Sequence, residues 1–181
     1  MGISNQNFKE ELKRITHATF KGCLERLDEK EIAGFGLYSD TSAMTISVSC
    51  NTFKHLKELQ EDEEGEGVYF RWTVGEWKYE MINSKEFTEL NAWMQEESRK
   101  TENNQGKFIQ YRNYIYKTAV EVLEELKQEG VFSNMHKDFV LMFGVSDFSD
   151  VQMEISFVKR LNTVEQAKEF EDWLLTQPGD E

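Results

Sequence analysis

Basic residues are scarce in this 181-residue chain: 21 Lys and Arg stand against 34 Asp and Glu, a net charge of −13. That balance excludes a broad electropositive face, and with it binding to nucleic acid through the phosphate backbone. A basic partner would be drawn in instead. Cysteine is nearly absent too. Cys23 and Cys50 are too few and too far apart for a disulfide framework or a zinc ribbon. Each falls in an apolar pattern, the setting of a small reduced core residue. The three histidines, His17, His55 and His136, share no metal-ligand spacing. Neither a dinucleotide fingerprint, nor a phosphate-binding P-loop, nor a nucleophile elbow occurs. No apolar run reaches the length of a signal core or a membrane span. Gly2 lacks the Ser or Thr that myristoylation needs four residues on, where Gln6 stands. The expectation is a cytoplasmic protein with no cofactor, no metal site, no membrane contact and no nucleic-acid partner.

What is present describes a globular chain. Apolar residues make up 39% and aromatics 13%, enough for a single globular domain, residues 1–181, with a core of its own. Residues 7–28 carry apolar side chains at helical spacing, with Asn7 as N-cap and Glu10 in the box position. Residues 32–38 are apolar on both faces and carry Gly34 and Gly36, which predicts a buried strand closely packed on its glycine side. A turn at Asp40 leads into an alternating strand through Met44, Ile46, Val48 and Cys50, and a short helix follows from Thr52.

The stretch VYFRWTVGEWKYEMI, residues 68–82, reads as an aromatic hairpin turning at Gly75-Glu76. That register pairs Val74 with Trp77, Trp72 with Tyr79 and Phe70 with Met81, and sets Arg71 against Glu80. Helices are predicted at 84–98, capped by Ser84, and at 107–129, stopped by Gly130. Residues 139–145 repeat the two-sided apolar strand, 151–158 alternate like a strand, and Thr163 caps a last helix ahead of the one proline, Pro178. The predicted fold class is α+β. An antiparallel sheet of about six strands carries helices packed against it, with two similar α-ββ-α units flanking the central aromatic hairpin and its helix.

Two short stretches, FGLYSD at 35–40 and FGVSD at 143–147, end the two buried strands. If those strands are neighbours, Asp40 and Asp147 reach one end of the sheet and could share a proton or a cation. With Glu80 and the aromatic residues Trp72, Trp77 and Tyr79, and Glu76 in the turn, they are the candidate ligand-binding residues. The bland alternative is that Asp and Ser after a strand form turns and the aromatics form core. A second candidate surface is the run EDEEGEG, whose Glu61, Asp62, Glu63, Glu64 and Glu66 repel one another into a solvated loop.

In order, AGFGLYSD, WTVGEWKYE, FTELNAWM, FGVSDFSD and VKRLNT resemble the bacterial family known as domain of unknown function 4303, over about residues 8–175. Its W-x-x-x-E-W-x-Y-E block is matched by Trp72, Glu76, Trp77, Tyr79 and Glu80. Its shorter pieces are matched by Ser146-Asp147 and by Arg160-Leu161-Asn162. The resemblance implies no established activity. Some small acidic bacterial proteins of this general kind lie beside toxin genes and act as immunity proteins. The leading expectation is therefore a non-enzymatic protein-binding module of immunity type that captures a basic toxin partner. The alternative is a small-ligand binder, or a metal- or carboxylate-dependent enzyme, with its pocket between the aromatic hairpin and the Ser-Asp turns.

Overall fold

The structure, a computed structural model, describes residues 2–63, 65–82, 85–147 and 150–176, with the backbone alone at Met81. Glu64, the cap Ser84, Pro178 and the Met81 side chain lie outside that description. The chain opens with helix α1 (Phe8–Leu24) and an antiparallel hairpin of β1 (Ile32–Ser39) and β2 (Ile46–Thr52). Helices α2 (Phe53–Asp62) and α3 (Gly67–Trp72), a single 3₁₀ turn (Val74–Glu76) and strand β3 (Tyr79–Ile82) follow. Then come α4 (Thr88–Arg99), α5 (Gln105–Gln128), β4 (Val140–Val145), α6 (Val151–Leu161) and α7 (Val164–Leu174).

The sheet has the order β3-β2-β1-β4, with β4 parallel to β1 and the other pairs antiparallel. The α+β class stands, but the described residues form four strands in a mixed sheet, where an antiparallel sheet of about six was expected. Two segments account for the difference. Residues 68–72 and 74–76 are helical, with Thr73 extended between them, because their aromatics serve different clusters. Phe70 packs with Ala33 and Leu56, and Trp72 with Phe170 and Met142. A strand would send both to one face, two residues apart. Residues 151–161 satisfy a helix as well as a strand: Met153, Phe157 and Leu161 face one cluster while Val151, Ile155 and Val158 face another. The two expected α-ββ-α units therefore do not match, since the last third is α-β-α-α. The parallel β1–β4 pair, with its long crossover through α5, overturns the expectation of antiparallel pairing throughout.

Cross-strand rows show how the sheet serves two layers. Cys50–Phe35–Leu141 and Val48–Leu37–Phe143 lie on one face, in the cluster that includes Phe8, Leu12 and Phe20 of α1 and Ile115, Ala119 and Leu123 of α5. On the other face the rows are Ser49–Gly36–Met142 and Ser47–Tyr38–Gly144. This second face is covered on its β4 side by Trp72, Val74, Trp77, Ile155 and Phe170. Close packing expected at the glycine side has a named partner. A Cβ on Gly34 would come within 2.9 Å of the Trp77 ring, and one on Gly144 within 3.0 Å of Val74.

Helix ends are mixed in outcome. Thr163 and Gln166 form a full capping box, and Thr52 caps α2 through the His55 amide. Asn7 does not cap α1 with its side chain. Its Oδ1 accepts from the amide and hydroxyl of Ser4. Gly130 (φ +80°) closes α5: its amide donates to Lys127 and that of Val131 to Leu126, satisfying two terminal carbonyls. Two asparagine amides stand in for missing neighbour strands. Asn162 Oδ1 accepts from the Leu141 amide (2.9 Å) and its Nδ2 donates to the Leu141 carbonyl (2.8 Å). Asn91 does the same for Ile46 at 2.8 and 3.1 Å.

Candidate functional site

The parallel pairing of β1 with β4 sets the geometry. Ser39 and Val145 are partners, and the Ser146 amide donates to the Ser39 carbonyl at 3.1 Å. Asp40 and Asp147 thus both lie just past the carboxyl ends of adjacent parallel strands, where chains diverge and leave a crevice. Two cavities open there, on either side of Tyr38. The first, about 200 Å³, lies toward β4 and is bounded by Tyr38, Trp72, Asp147, Glu154, Phe170 and Trp173. The second, about 250 Å³, lies toward β2 and is bounded by Tyr38, Asp40, Ser47, Ser49, Glu80 and Ser146. Tyr38, Gly75 and Ser146 are common to both. The row Ser47–Tyr38–Gly144 explains this division: the phenol rises between a small hydroxyl and a glycine.

One wall of the first cavity is a run of rings. Trp72 and Phe170 meet edge to face at 5.3 Å between centroids, and Phe170 and Trp173 at 5.8 Å. Glu169 fixes this wall between α3 and α7. It accepts from the Trp72 indole Nε1 at 3.2 Å and pairs with Arg71 at 3.0 Å, while the Arg71 guanidinium also lies 5.4 Å from the Trp72 ring. Trp72 and Phe170 are only 2% and 3% exposed, so of the three rings the partly buried Trp173 offers the cavity the most surface.

The same cavity is also lined by two carboxyl groups, those of Asp147 and Glu154. Asp147 holds a left-handed backbone (φ +50°), a conformation rare for a residue with a side chain but tolerated best by Asn and Asp. Glu154, in the first turn of α6, is half-buried, and no donor among the described residues hydrogen-bonds its carboxyl. Burial, reinforced by the neighbouring charge of Asp150, pushes its pKa up to about 7. Burial also raises the Tyr38 phenol, as do the charges of Asp147, Glu80 and Glu76, while a hydrogen bond with Ser146 works the other way. The pocket therefore holds one carboxyl with its pKa pushed up to about 7 and shares its lining with aromatic rings, a combination typical of functional sites.

The sequence-predicted residues divide. Trp72 and Asp147 reach the first cavity, and Asp40 and Glu80 the second. The Asp40 carboxylate is spent on its own turn, accepting from the amides of Ser42 (2.9 Å), Met44 (3.2 Å) and Thr45 (2.7 Å) and from the Thr45 hydroxyl (2.6 Å). Trp77 is core: 2% exposed, stacked over Gly34, its Nε1 donating to the Arg71 carbonyl. Glu76 and Tyr79 are exposed and border neither cavity, Glu76 accepting from the Tyr69 hydroxyl. Of the acidic run, Glu61 and Asp62 belong to the last turn of α2, and with Glu63 and Glu66 they are exposed. Sequence reasoning missed Glu154, Tyr38, Phe170 and Trp173. Asp150 followed by Val151 and Ile155 at i, i+4 was the available signal for α6, and it would have placed Glu154 in a first helical turn.

A family model for a domain of unknown function, DUF4303, matches residues 12–163. The chain belongs to the DUF4303 family. No curated protein and no solved structure matches it. The matched DUF4303 region takes in β1, β4, α3 and α6, and so both cavities apart from Phe170, Trp173 and Leu174, which lie beyond residue 163. No group of three or more His, Cys, Asp or Glu among the described residues of this DUF4303 chain could hold a metal ion. Nor is any described helix long and apolar enough to cross a membrane.

Proposed function

We propose that this DUF4303 chain is a ligand-binding domain whose site is the cavity beyond β1 and β4, and that its ligand is a small organic cation. The observation that carries the reading is the meeting of Asp147 and Glu154 with the ring wall of Trp72, Phe170 and Trp173 in one cavity of about 200 Å³. Aromatic faces attract ammonium groups, and a carboxylate beside them supplies charge and a hydrogen-bond acceptor. A cation seated against Glu154 favours its ionised form, so binding releases a proton near neutrality and strengthens as pH rises through about 7. Calorimetry with methylammonium and butylammonium, each beside its neutral alcohol isostere, tests this. The cations should bind at least ten-fold tighter, with proton release at pH 6.5, and Asp147→Asn should weaken them at least five-fold. Equal affinity for cation and isostere would refute the reading.

A second reading concerns protein capture. Glu61, Asp62, Glu63 and Glu66 are exposed, and of these only Glu61 has an ion-pair partner among the described residues, Lys57 at 3.7 Å. Such an acidic tip suits a basic protein partner, of which an immunity-type role toward a toxin is one form, with fast and salt-sensitive association. Converting the four to amides should then abolish capture of that partner. Unchanged capture by the converted chain would dismiss this surface.

A further inference from the structure

We infer that the two cavities act as one bipartite site and that the cation it takes is a linear aliphatic diamine or polyamine, one ammonium seated beyond β4 and the other beyond β2. This deepens the proposed function and rests on it.

Three observations lead there. First, the cavities adjoin: Tyr38, Gly75 and Ser146 border both, on one face of one sheet. Second, each end carries acidic chemistry. The first has Asp147 and Glu154. The second has Glu80, whose carboxylate accepts no hydrogen bond from the described residues, with the small hydroxyls of Ser47 and Ser49 beside it. Asp40 adds its charge there but not its hydrogen-bonding capacity, which the turn consumes. Third, the divide between them is a phenol ring facing a glycine. Gly75 has no positive φ that would demand glycine. A Cβ there would meet only Tyr38, its hydroxyl at 3.6 Å and its Cζ at 4.0 Å, both ordinary contacts. Neither backbone nor packing requires glycine at 75, but a side chain at that position would fill the passage over Tyr38. Methylene groups suit such a passage, since they lie well on an aromatic ring, and an ammonium at each end suits the two acidic pockets.

The alternative occupant of the second cavity is a neutral hydroxyl-rich extension of a monoamine, which the serines would hold without Glu80. The experiment separates them. Calorimetry on the full chain at pH 8 and low salt compares butylamine, 4-amino-1-butanol and α,ω-diamines of three to six carbons. The best diamine should bind at least ten-fold tighter than butylamine. Glu80→Gln should remove most of that advantage while leaving butylamine within two-fold. Glu76→Gln, a neighbouring charge that borders neither cavity, should leave the advantage intact, which separates local contact from the general pull of an acidic protein. Gly75→Leu, at a position that borders both cavities, should cost the diamine more affinity than it costs butylamine. A diamine no tighter than butylamine, an advantage that survives Glu80→Gln, or an amino alcohol as tight as the diamine overturns the bipartite site and leaves the single-cation reading standing. Absence of binding by every amine overturns both.

Discussion

Burial and the charge of Asp150 push the Glu154 carboxyl up to about 7, from an ordinary value of 4.5. Between those two values the folded chain holds a proton that the unfolded chain has released. Stability therefore falls as pH rises through that window and is flat on either side of it. The loss at full ionisation is about 3–4 kcal/mol at most, since each pKa unit is worth ~1.4 kcal/mol. Glu154→Gln removes the titration and keeps the shape. The variant and the parent should be equally stable at pH 4, and the variant should be more stable by about 1–3 kcal/mol at pH 8. Urea unfolding at the two pH values reads this directly. Parallel pH profiles would show that Glu154 titrates as an ordinary surface carboxylate. A site that carries such a cost without a bound partner is one built for something other than stability.

At the scale of the element, α6 decides both the fold and the pocket. Its N-cap is Asp150, whose Oδ1 accepts from the Met153 amide at 3.0 Å. Asp150→Ala should destabilise the chain by about 1 kcal/mol through the lost cap. Asp150→Asn keeps the cap and should stay within about 0.5 kcal/mol of the parent. Both remove the charge beside Glu154, so both should lower its titration midpoint, as carbon-detected NMR of the carboxyl can follow. A midpoint unmoved by either substitution would leave burial as the whole cause. The same helix marks where the sequence stops being legible. β1, β2, β4, α5 and α7 were readable because two-sided apolar runs, alternation and caps at Thr163 and Gly130 each admit one interpretation. VQMEISFV did not, because its apolar residues fit period 2 and period 3.6 alike, and the layers on both sides of α6 accept apolar stripes. WTVGEW misled for a related reason. Its cross-strand pairs were chemically consistent, yet Gly34 and Gly144 had left room for Trp77 and Val74 to pack down onto the sheet. The shared end of Asp40 and Asp147 followed from the likeness of FGLYSD and FGVSD only on the condition that the two strands are neighbours, which the β1–β4 pairing meets. The cavity was not legible, because Glu154 and Tyr38 become neighbours only through the parallel β1–β4 pairing.

For the whole molecule, the excess of acid determines how salt acts, with opposite signs on folding and on binding. Even the paired lysines are outnumbered: between α1 and α5, Lys9 is shared by Glu121 and Glu125, both at 2.8 Å, and Lys13 by Glu125 and Glu129, at 2.8 and 2.6 Å. Those glutamates raise the pKa of both lysines through hydrogen bonds. Each pair is partly exposed and worth roughly 0.2–1 kcal/mol. Against them stands the mutual repulsion of a chain with net charge −13, which a Debye length of about 8 Å at physiological salt largely screens. With repulsion expected to be the larger sum, raising NaCl from 10 to about 300 mM should raise the melting temperature by a few degrees, while each bridged lysine gives back only tenths of a kcal/mol. The attraction of an ammonium ligand for the acidic cavities is screened by the same ions, so its affinity should fall over the same range. A single salt series, with melting followed by fluorescence and binding by calorimetry, therefore returns two slopes. Rising stability with falling affinity is the expected pair. Falling stability would mean that the α1–α5 ion pairs outweigh the repulsion, and salt-independent affinity would mean that the rings, rather than the carboxylates, hold the ligand.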